Sequence, residues 1–385
     1  MSPELRWSRL RRSQRLGCGL SQLHASSVVL VGAGALGGCV LPHLAMLGIP
    51  TTIIDKDVVS EENLGNQGFA ENMVGLPKAQ ARAISLRSLN SSWRVNPVHA
   101  DLSRVGLGDY AQFDLILCAL DSPGARAALS AIAVHTGRAW CDAAVDPSGV
   151  PFGRVACYDP RLEDGACYVC PHDPSSLAMA MRGGVEGCPG TPGRGADAPP
   201  TLATSMLAAA VAALQVTWAT EMLLGRMDGI AGMEAYLDLG GCALRRHRLV
   251  RNPRCLFTHR RFEPIEPLGV GVAGITVAET LRAASTWLRG DVQMRLWRDA
   301  IATELRCPEC GVVRRPFRLL GSLSAAEMRC DCGAEMGAPA AGLLDRFGVD
   351  EAEPFVDRTW DELGLPEREI VAAGADGCEI FLRFK

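Results

Sequence analysis

The chain has 385 residues, of which 48% are hydrophobic and 21% charged, and it contains 41 glycines, 23 prolines and 15 cysteines. A chain of this length has room for two or three domains and can bury a core without disulfide bonds. The formal net charge of -4 gives no broad basic field, which argues against non-specific binding to nucleic acid or to an anionic membrane. Residues 1–20 are rich in arginine and lack the apolar segment of a secretory signal, so we expect a cytoplasmic protein whose cysteines are mostly reduced.

The first third of the chain alternates strand-like and helix-like segments. Residues 27–32 form a β-branched run ending in glycine, and the apolar residues 33–47 that follow predict a buried helix. Further strand-like runs end at Asp55 and Asp121, and helical stretches separate them. Strands that alternate with helices are typical of βαβ units, so we expect an α/β fold of the doubly wound, Rossmann-like kind with a mostly parallel sheet.

The character of the sequence changes after residue 150. We expect a hairpin over residues 151–158, a Gly- and Pro-rich loop over 183–200, and then a buried helix over 206–224. Polar residues interrupt that last apolar stretch, which argues against a membrane span. Prolines and glutamates cluster at residues 263–267, and we therefore divide the chain into two domains, 1–264 and 265–385.

Three glycines between the first predicted strand and helix form a G-x-G-x-x-G pattern, at Gly32, Gly34 and Gly37. Such a turn lets the backbone approach a phosphate group that lies on the helix N-terminus. Asp55, at the end of the next strand, is suitably placed to bind ribose hydroxyls. By itself this pattern fits a nicotinamide dehydrogenase as well as other nucleotide-binding enzymes.

The polar residues that follow extend the pattern into a long ordered series, which comprises Asp55, Asp57, Asn63, Asn66, Gln67, Lys78, Asp121 and Arg126. This series resembles the ThiF/MoeB/HesA superfamily of ATP-dependent adenylyltransferases, which includes the enzymes that activate ubiquitin and ubiquitin-like proteins. The resemblance covers roughly residues 5–260. It implies an adenylation domain with an N-terminal arginine segment (1–24), a nucleotide-binding half (25–150) and a half with a zinc site and a crossover loop (151–264).

The resemblance also implies roles for single residues. ATP would lie against Gly34, Asp55 would hold its ribose, and the phosphates would be surrounded by Asn63, Gln67 and Lys78. Asp121 would hold Mg²⁺. Cations and amide donors are suitable there, because they offset the charge that develops when a carboxylate attacks an α-phosphate. A structural role stays open for Asp57, since carboxylates at strand ends commonly cap turns.

Two positions correspond to arginines of the resembled family, and this chain keeps the arginine at only one of them. The segment 6–10 resembles a family segment whose second arginine reaches the ATP of the neighbouring subunit, which implies a homodimer with Arg9 acting in trans; a solvated basic leader is the alternative. Asn66 stands where many members have an arginine, whose fixed charge and paired donors asparagine cannot replace. It indicates a weakened enzyme, the inactive half of a heterodimer, or compensation by Arg9 or Arg12.

The pair Cys167 and Cys170 forms a C-x-x-C motif, which is ambiguous between redox chemistry and zinc binding. In the resembled family such a pair joins a second pair far downstream to hold structural Zn²⁺. Here the downstream residues are Cys255 and His259, and three thiolates with one imidazole suit tetrahedral zinc. Cys242 is the alternative to His259 as the fourth ligand.

A second cysteine set lies in the C-terminal domain and consists of Cys307, Cys310, Cys330 and Cys332. Each pair is followed by glycine, which resembles the knuckles of a zinc ribbon, and we place such a ribbon at residues 300–340. Sites with a full set of protein ligands are structural, so we expect two structural Zn²⁺ ions per chain. Residues 355–385 predict a terminal β element, which completes a β-rich C-terminal module.

Cys188 lies alone in the Gly- and Pro-rich loop, where the resembled enzymes carry the cysteine that accepts the acyl group. An incidental loop cysteine is the alternative.

The expected function is ATP-dependent adenylation of the C-terminal carboxylate of a small ubiquitin-like protein ending in glycine, with a conjugating enzyme as a further partner. The alternatives are adenylation of a sulfur carrier for thiamine or molybdopterin synthesis, a non-catalytic scaffold, and a nicotinamide dehydrogenase.

Overall fold

The computed structural model describes residues 3–146, 150–172 and 204–385. The described chain forms two compact units. The first contains the described residues up to Arg260 except for 103–109, and the second contains Ser103–Asp109 together with Arg261–Lys385. The chain thus enters the second unit at Arg261, whereas the sequence placed the boundary after residue 264.

An eight-stranded sheet organises the first unit. Its strands are β1 (Val28–Val31), β2 (Thr51–Asp55), β3 (Val95–His99), β4 (Leu115–Cys118), β5 (Trp140–Val145), β6 (Phe152–Tyr158), β7 (Met233–Asp238) and β8 (Ala243–Arg248). Their order is β3-β2-β1-β4-β5-β6-β7-β8. Strands β1 to β5 pair in parallel, and β6, β7 and β8 are added antiparallel. This confirms the predicted α/β fold with a large, mostly parallel sheet.

The hairpin predicted over residues 151–158 is wrong. These residues form the single strand β6, which pairs with β5 on one side and β7 on the other. Alternation of apolar residues indicates a strand but does not identify its partner, and here the two partners are supplied by residues before 146 and after 232.

Helices occur in both units. The α-helices of the described chain are Pro3–Arg6, Ser8–Arg11, Leu20–Ala25, Ala35–Leu47, Leu64–Gln67, Lys78–Arg87, Leu107–Tyr110, Pro123–Thr136, Ser205–Leu223, Val277–Ala284 and Val349–Ala352. Short 3-10 turns occur at Gly17–Gly19, Glu61–Asn63, Glu71–Met73, Leu102–Arg104, Val272–Gly274, Leu320–Ser322 and Ala340–Gly342.

The helix Ser205–Leu223 is long and apolar enough to cross a membrane by length and composition. It instead belongs to the core of the first unit, where Leu207, Val211 and Val216 are buried with residues of β1 and β5. Gln215 is completely buried, and its Nε2 donates to the carbonyls of Cys118 at 2.9 Å and Cys141 at 2.8 Å. The expectation of a buried helix is confirmed.

The second unit is rich in short strands. They are β9 (Ile265–Pro267), β10 (Gln293–Arg295), β11 (Ile301–Ala302), β12 (Leu305–Arg306), β13 (Val313–Arg314), β14 (Arg318–Leu319), β15 (Leu343–Leu344), β16 (Arg346–Phe347), β17 (Ile370–Ala375) and β18 (Cys378–Arg383). The largest sheet has the order β16-β10-β17-β18-β9. Its core contains Phe347, Phe355, Trp360 and Phe384, and the indole N–H of Trp360 donates to the Thr280 hydroxyl at 2.7 Å. The predicted β-rich C-terminal module is confirmed.

Candidate nucleotide-binding site and cysteine clusters

The glycine turn follows β1 directly. Gly32 has a φ of +98°, and a Cβ there would lie 2.6 Å from the Ala119 carbonyl oxygen. A Cβ on Gly37 would lie 2.1 Å from the Gly32 oxygen, so both positions require glycine. The first helical hydrogen bond is donated by the Gly38 amide to the Gly34 oxygen at 2.8 Å. The amides just before Gly38 therefore have no helical acceptor and suit an anion.

Asp55 ends β2, beside the turn that follows β1. Its Oδ2 accepts from the Ala33 amide at 2.6 Å, and its Oδ1 accepts from the Asp57 amide at 2.8 Å. Burial raises the pKa of Asp55, and these two backbone hydrogen bonds oppose the rise. Each carboxylate oxygen keeps a further lone pair, so the group can still accept from ribose hydroxyls.

Lys78 begins the helix Lys78–Arg87 and is largely buried. Its Nζ donates to Asp57 Oδ2 at 3.0 Å, and its amide donates to the Asp57 carbonyl at 2.9 Å. Asp57 is thus paired with the predicted phosphate ligand. The ammonium group has further donors available for an anion.

The segment between Asp57 and Lys78 carries the predicted amide ligands. Asn63 Oδ1 accepts from the Ser60 amide at 3.0 Å and so caps its own turn. The Asn66 Oδ1 and Gln67 Oε1 atoms are buried without a hydrogen-bond partner among the described residues. Gln67 Oε1 lies 3.7 Å from where a Cβ on Gly34 would be. A buried acceptor without a partner is costly, so these two oxygens fit a ligand group that donates, such as a nucleotide hydroxyl, while the NH2 groups of the same side chains can donate to a phosphate.

Asp121 is exposed and lies in the turn between β4 and the helix Pro123–Thr136. The buried Arg126 donates to the Leu120 carbonyl and, at 2.9 Å, to the Ala143 carbonyl. It also pairs with the fully buried Asp142, whose other oxygen accepts from Arg154 at 2.6 Å. Arg126 therefore holds the turn that carries Asp121, and Asp142 has a structural role between two arginines.

The topology places these elements at one edge. Because β2, β1 and β4 are parallel neighbours, their carboxyl ends lie side by side, and with them lie Gly32, Asp55 and Asp121. The chain crosses to the other side of β1 between β3 and β4, which makes this edge the switch point of the sheet. Doubly wound sheets bind ligands in the crevice outside the carboxyl ends at such a point.

The first cysteine cluster is assembled as the sequence predicted. Cys167 Sγ lies 3.7 Å from Cys170 Sγ and 3.6 Å from Cys255 Sγ, and Cys170 Sγ lies 3.2 Å from His259 Nε2. A tetrahedral zinc ion with Zn–S bonds of about 2.3 Å needs sulfur atoms about 3.8 Å apart. Cys242 is exposed and lies outside this group. The geometry fits Zn²⁺ and favours His259 over Cys242 as the fourth ligand.

The second cluster lies in the second unit. Cys307 Sγ is 3.5 Å from Cys332 Sγ, and Cys310 Sγ is 3.5 Å from Cys330 Sγ. All the sulfur atoms lie within 4.8 Å of one another, so the shorter spacing of the second pair does not prevent assembly. The glycines that follow the pairs have φ values of +73° and +91°, as tight knuckles around a metal require.

Comparison with known proteins agrees with the geometry of the nucleotide site. Residues 6–257 match the model of the ThiF family. The chain belongs to the ThiF family. This confirms the family that the ordered polar series indicated.

Relatives of this ThiF protein include the SAMP-activating enzyme E1 of Haloferax volcanii, 28% identical over 62% of this chain and 82% of the relative. The sulfur carrier protein adenylyltransferase of Thermus thermophilus is 30% identical over 62% of this chain and 83% of the relative. The adenylyltransferase and sulfurtransferase UBA4 of Eremothecium gossypii is 34% identical over 44% of this chain, but the match spans only 39% of UBA4. The structure of E. coli MccB with ATP has the same fold, with a TM-score of 0.51 and 18% identity over 65% of this chain and 74% of that one.

Sequence reasoning missed one residue of this ThiF site. Arg82 is buried and donates to the carbonyls of Ala33 at 3.2 Å, Gly34 at 3.1 Å and Gln67 at 2.5 Å. Arginines on helices are normally solvated, so the residue type alone does not indicate that Arg82 is buried. The available signal was its place among alanines, four residues after Lys78 on the face that a helix turns inward.

The N-terminal segment packs on the first unit. The Trp7 indole donates to the Met46 carbonyl at 3.1 Å and its ring lies 4.4 Å from that of His24, while Arg6 donates to the Leu89 carbonyl at 2.9 Å. Arg9 is exposed, and within the described residues its side chain has no hydrogen bond or ion pair. Its action on a neighbouring subunit stays a prediction. Cys188, the predicted acyl acceptor, lies outside the described residues.

Proposed function

We propose that this ThiF protein is an ATP-dependent adenylyltransferase that activates the C-terminal carboxylate of a small ubiquitin-like or sulfur-carrier protein. The observation that carries the proposal is the convergence of Gly34, Asp55 and Lys78 at the switch point, beside two buried amide oxygens that have no partner in the part of the chain that the structure describes. The family match supports ATP as the nucleotide. The names of the relatives support a protein carboxylate as the second substrate.

In the first step a carboxylate oxygen of the carrier attacks the α-phosphorus of ATP. The bond from that phosphorus to the bridging oxygen breaks, pyrophosphate leaves, and the carrier becomes an acyl adenylate. Both reactants are anions, and Lys78 with the amides that begin the helix Ala35–Leu47 offsets the charge that accumulates. Mg²⁺ at Asp121 would supply further positive charge to the phosphates.

In the second step we assign Cys188 as the acceptor. Its thiolate attacks the carbonyl carbon of the acyl adenylate, the bond to the phosphate oxygen breaks, AMP leaves, and a thioester forms. A conjugating enzyme would then take the acyl group. For a sulfur carrier, sulfide-level sulfur from a donor would instead attack the carbonyl carbon of the acyl adenylate, the bond to the phosphate oxygen would break, and AMP would leave the carrier as a thiocarboxylate. The thioester route needs a reduced thiol, which a cytoplasmic location would provide.

The test is exchange of labelled pyrophosphate into ATP by the purified chain, with small ubiquitin-like and sulfur-carrier proteins of the same genome as substrates. A copy of each carrier whose C-terminus is a carboxamide is the matched control, because an amide cannot attack the α-phosphorus. We expect exchange only with a free carboxylate. Exchange that does not depend on any carrier would reject a carrier carboxylate as the substrate, and no exchange with the whole set would reject the proposal in favour of a scaffold role.

The thioester route through Cys188 and the sulfur-carrier route give different products. With Cys188 as acceptor, the wild-type chain forms a thiol-labile adduct with the carrier, and the Cys188→Ala chain forms none while it keeps pyrophosphate exchange. If Cys188→Ala still forms the adduct, another residue accepts the acyl group. Mass spectrometry that finds a carrier thiocarboxylate favours the sulfur-carrier route.

A further inference from the structure

Arg82 joins two segments of the nucleotide site. Its Nε and Nη2 donate to the carbonyls of Ala33 and Gly34 in the glycine turn, and Nη2 also donates to the Gln67 carbonyl at the end of the helix Leu64–Gln67. The planar guanidinium fixes the directions of its donors. The turn and the segment with the unpartnered amides are therefore held at a set distance by one side chain.

The glycine turn is held from two sides at the same residue. The Ala33 amide donates to the Asp55 carboxylate at 2.6 Å, and the Ala33 carbonyl accepts from Arg82 at 3.2 Å. An anion on one side and a cation on the other hold this residue between β2 and the helix Lys78–Arg87. Movement of Arg82 would thus change the position of the turn against which a nucleotide lies.

The space around Arg82 is shaped for a guanidinium. A Cβ on Gly38 would lie 2.2 Å from Nη2 and 2.4 Å from Cζ of Arg82, so a side chain at this helical position would displace the guanidinium. On another side the guanidinium carbon lies 3.8 Å from the centre of the Phe69 ring, within the range of a cation–π contact. Glycine inside a helix weakens it, so this glycine needs a reason, and Arg82 supplies one.

Arg82 also brings charge to the site. Burial lowers its pKa to about 10, which leaves the group cationic at neutral pH. Among the described residues its hydrogen-bond acceptors are neutral carbonyls, and it forms no ion pair there. The nearby Asp55 carboxylate interacts with this charge through space but does not pair with it directly. Asn66, the position where an arginine was expected, carries no charge.

We propose that Arg82 is the positioning residue of the phosphate site, which holds Gly34 against Gln67 and supplies from beneath the glycine turn the fixed positive charge that Asn66 lacks. The inference rests on the proposed function, because it takes ATP as the nucleotide. Arg82 acts through the turn and through its field, without contact to the substrate.

Calorimetric titrations of the full chain with ATP and with adenosine in the presence of Mg²⁺ test this. Arg82→Gln removes the positive charge, and Arg82→Lys keeps the charge but loses the planar, paired donors of the guanidinium. Arg87→Gln, on the exposed side of the same helix, is the control. We expect Arg82→Gln to weaken ATP binding by about tenfold or more, and adenosine binding far less, because the lost charge acts on phosphates. Arg87→Gln should bind both as the wild type does.

The conservative and compensating variants separate charge from folding. Arg82→Lys should keep the preference for ATP over adenosine but lower the rate of pyrophosphate exchange, since the paired guanidinium donors that order the glycine turn are lost. Asn66→Arg added to Arg82→Gln should recover ATP affinity. If Arg82→Gln fails to fold, the ratio of ATP affinity to adenosine affinity in Arg82→Lys tests the proposal in its place.

Equal losses of ATP and adenosine affinity in the Arg82 variants would reduce Arg82 to a packing residue and overturn the inference. Unchanged affinity for both would overturn it as well. Neither result touches the proposed function while the wild type binds ATP and supports carrier-dependent exchange. Failure of the wild type to bind ATP would instead reject the proposed function.

Discussion

Lys78 combines burial with a positive charge and a single carboxylate partner. The pair with Asp57 holds the ammonium group in place, and the remaining donors are free for a phosphate. Both residues were predicted from the sequence because they belong to the ordered polar series that resembles the family. The sequence did not predict Arg82, whose importance depends on a glycine and a phenylalanine brought beside it by the fold.

We expect Lys78→Ala to abolish carrier-dependent pyrophosphate exchange. The alanine removes the positive charge that offsets the two anionic reactants, and such groups act mainly on the transition state. Lys56→Ala is the control, because Lys56 is partly exposed and pairs with Asp101 at 3.6 Å. Exchange at the wild-type rate in Lys78→Ala would remove Lys78 from the site.

Asp142 illustrates a buried charge with a structural role. It lies between Arg126 and Arg154, with no exposed surface. Asp142→Ala leaves the buried Arg126 without its carboxylate and Arg154 with Glu234 alone, and we expect the free energy of unfolding to fall by about 3 to 5 kcal/mol in urea titrations. Glu263→Ala, which breaks the exposed pair with Arg261, should cost about 1 kcal/mol or less. Equal costs for the two variants would contradict the assigned role of Asp142.

At the scale of elements, the sequence was informative wherever an element has a local signature. The strand, glycine turn and helix of residues 28–47 follow from β-branched residues, glycines and apolar periodicity, and the structure contains them. Strand β3 was not predicted, because Pro97 interrupts its pattern; proline is tolerated there since β3 is an edge strand. The pairing of β6 depends on residues distant in sequence, which local patterns do not specify.

The glycine turn gives a prediction at this scale. We expect Gly37→Ala to lose ATP binding, because its Cβ would lie 2.1 Å from the Gly32 oxygen and push the helix Ala35–Leu47 away from β1. A Cβ on Gly65 has no atom within 4 Å, so Gly65→Ala should fold and bind ATP as the wild type does. Titration of both variants with ATP, alongside their thermal unfolding, checks this. Normal binding by Gly37→Ala would show that the turn tolerates displacement.

At the scale of the whole molecule, the homodimer can be tested through Arg9. We expect Arg9→Ala and Lys78→Ala each to be inactive alone, while their mixture regains about a quarter of the exchange rate of the wild type, since one site in a mixed dimer is intact. The recovery follows only if Arg9 acts on the partner subunit. Activity of the mixture that equals the mean of the separate chains would place Arg9 outside the partner's site.

The two cysteine clusters account for much of the sulfur in the chain. The second contains Cys307 and Cys330 within a small core of six buried residues, which is little apolar surface for an independently folded ribbon. We therefore propose that zinc stabilises it, and we expect metal analysis to find two Zn²⁺ ions per chain.

Cys167→Ser and Cys332→Ser should each retain one zinc ion, because each substitution removes a thiolate from a different cluster. Cys242→Ser should retain both, since Cys242 is exposed and outside the clusters. Loss of zinc in Cys242→Ser would place that residue in the first site instead of His259. A single ion in the wild type, kept by Cys332→Ser, would leave the second cluster without metal and its fold dependent on packing alone.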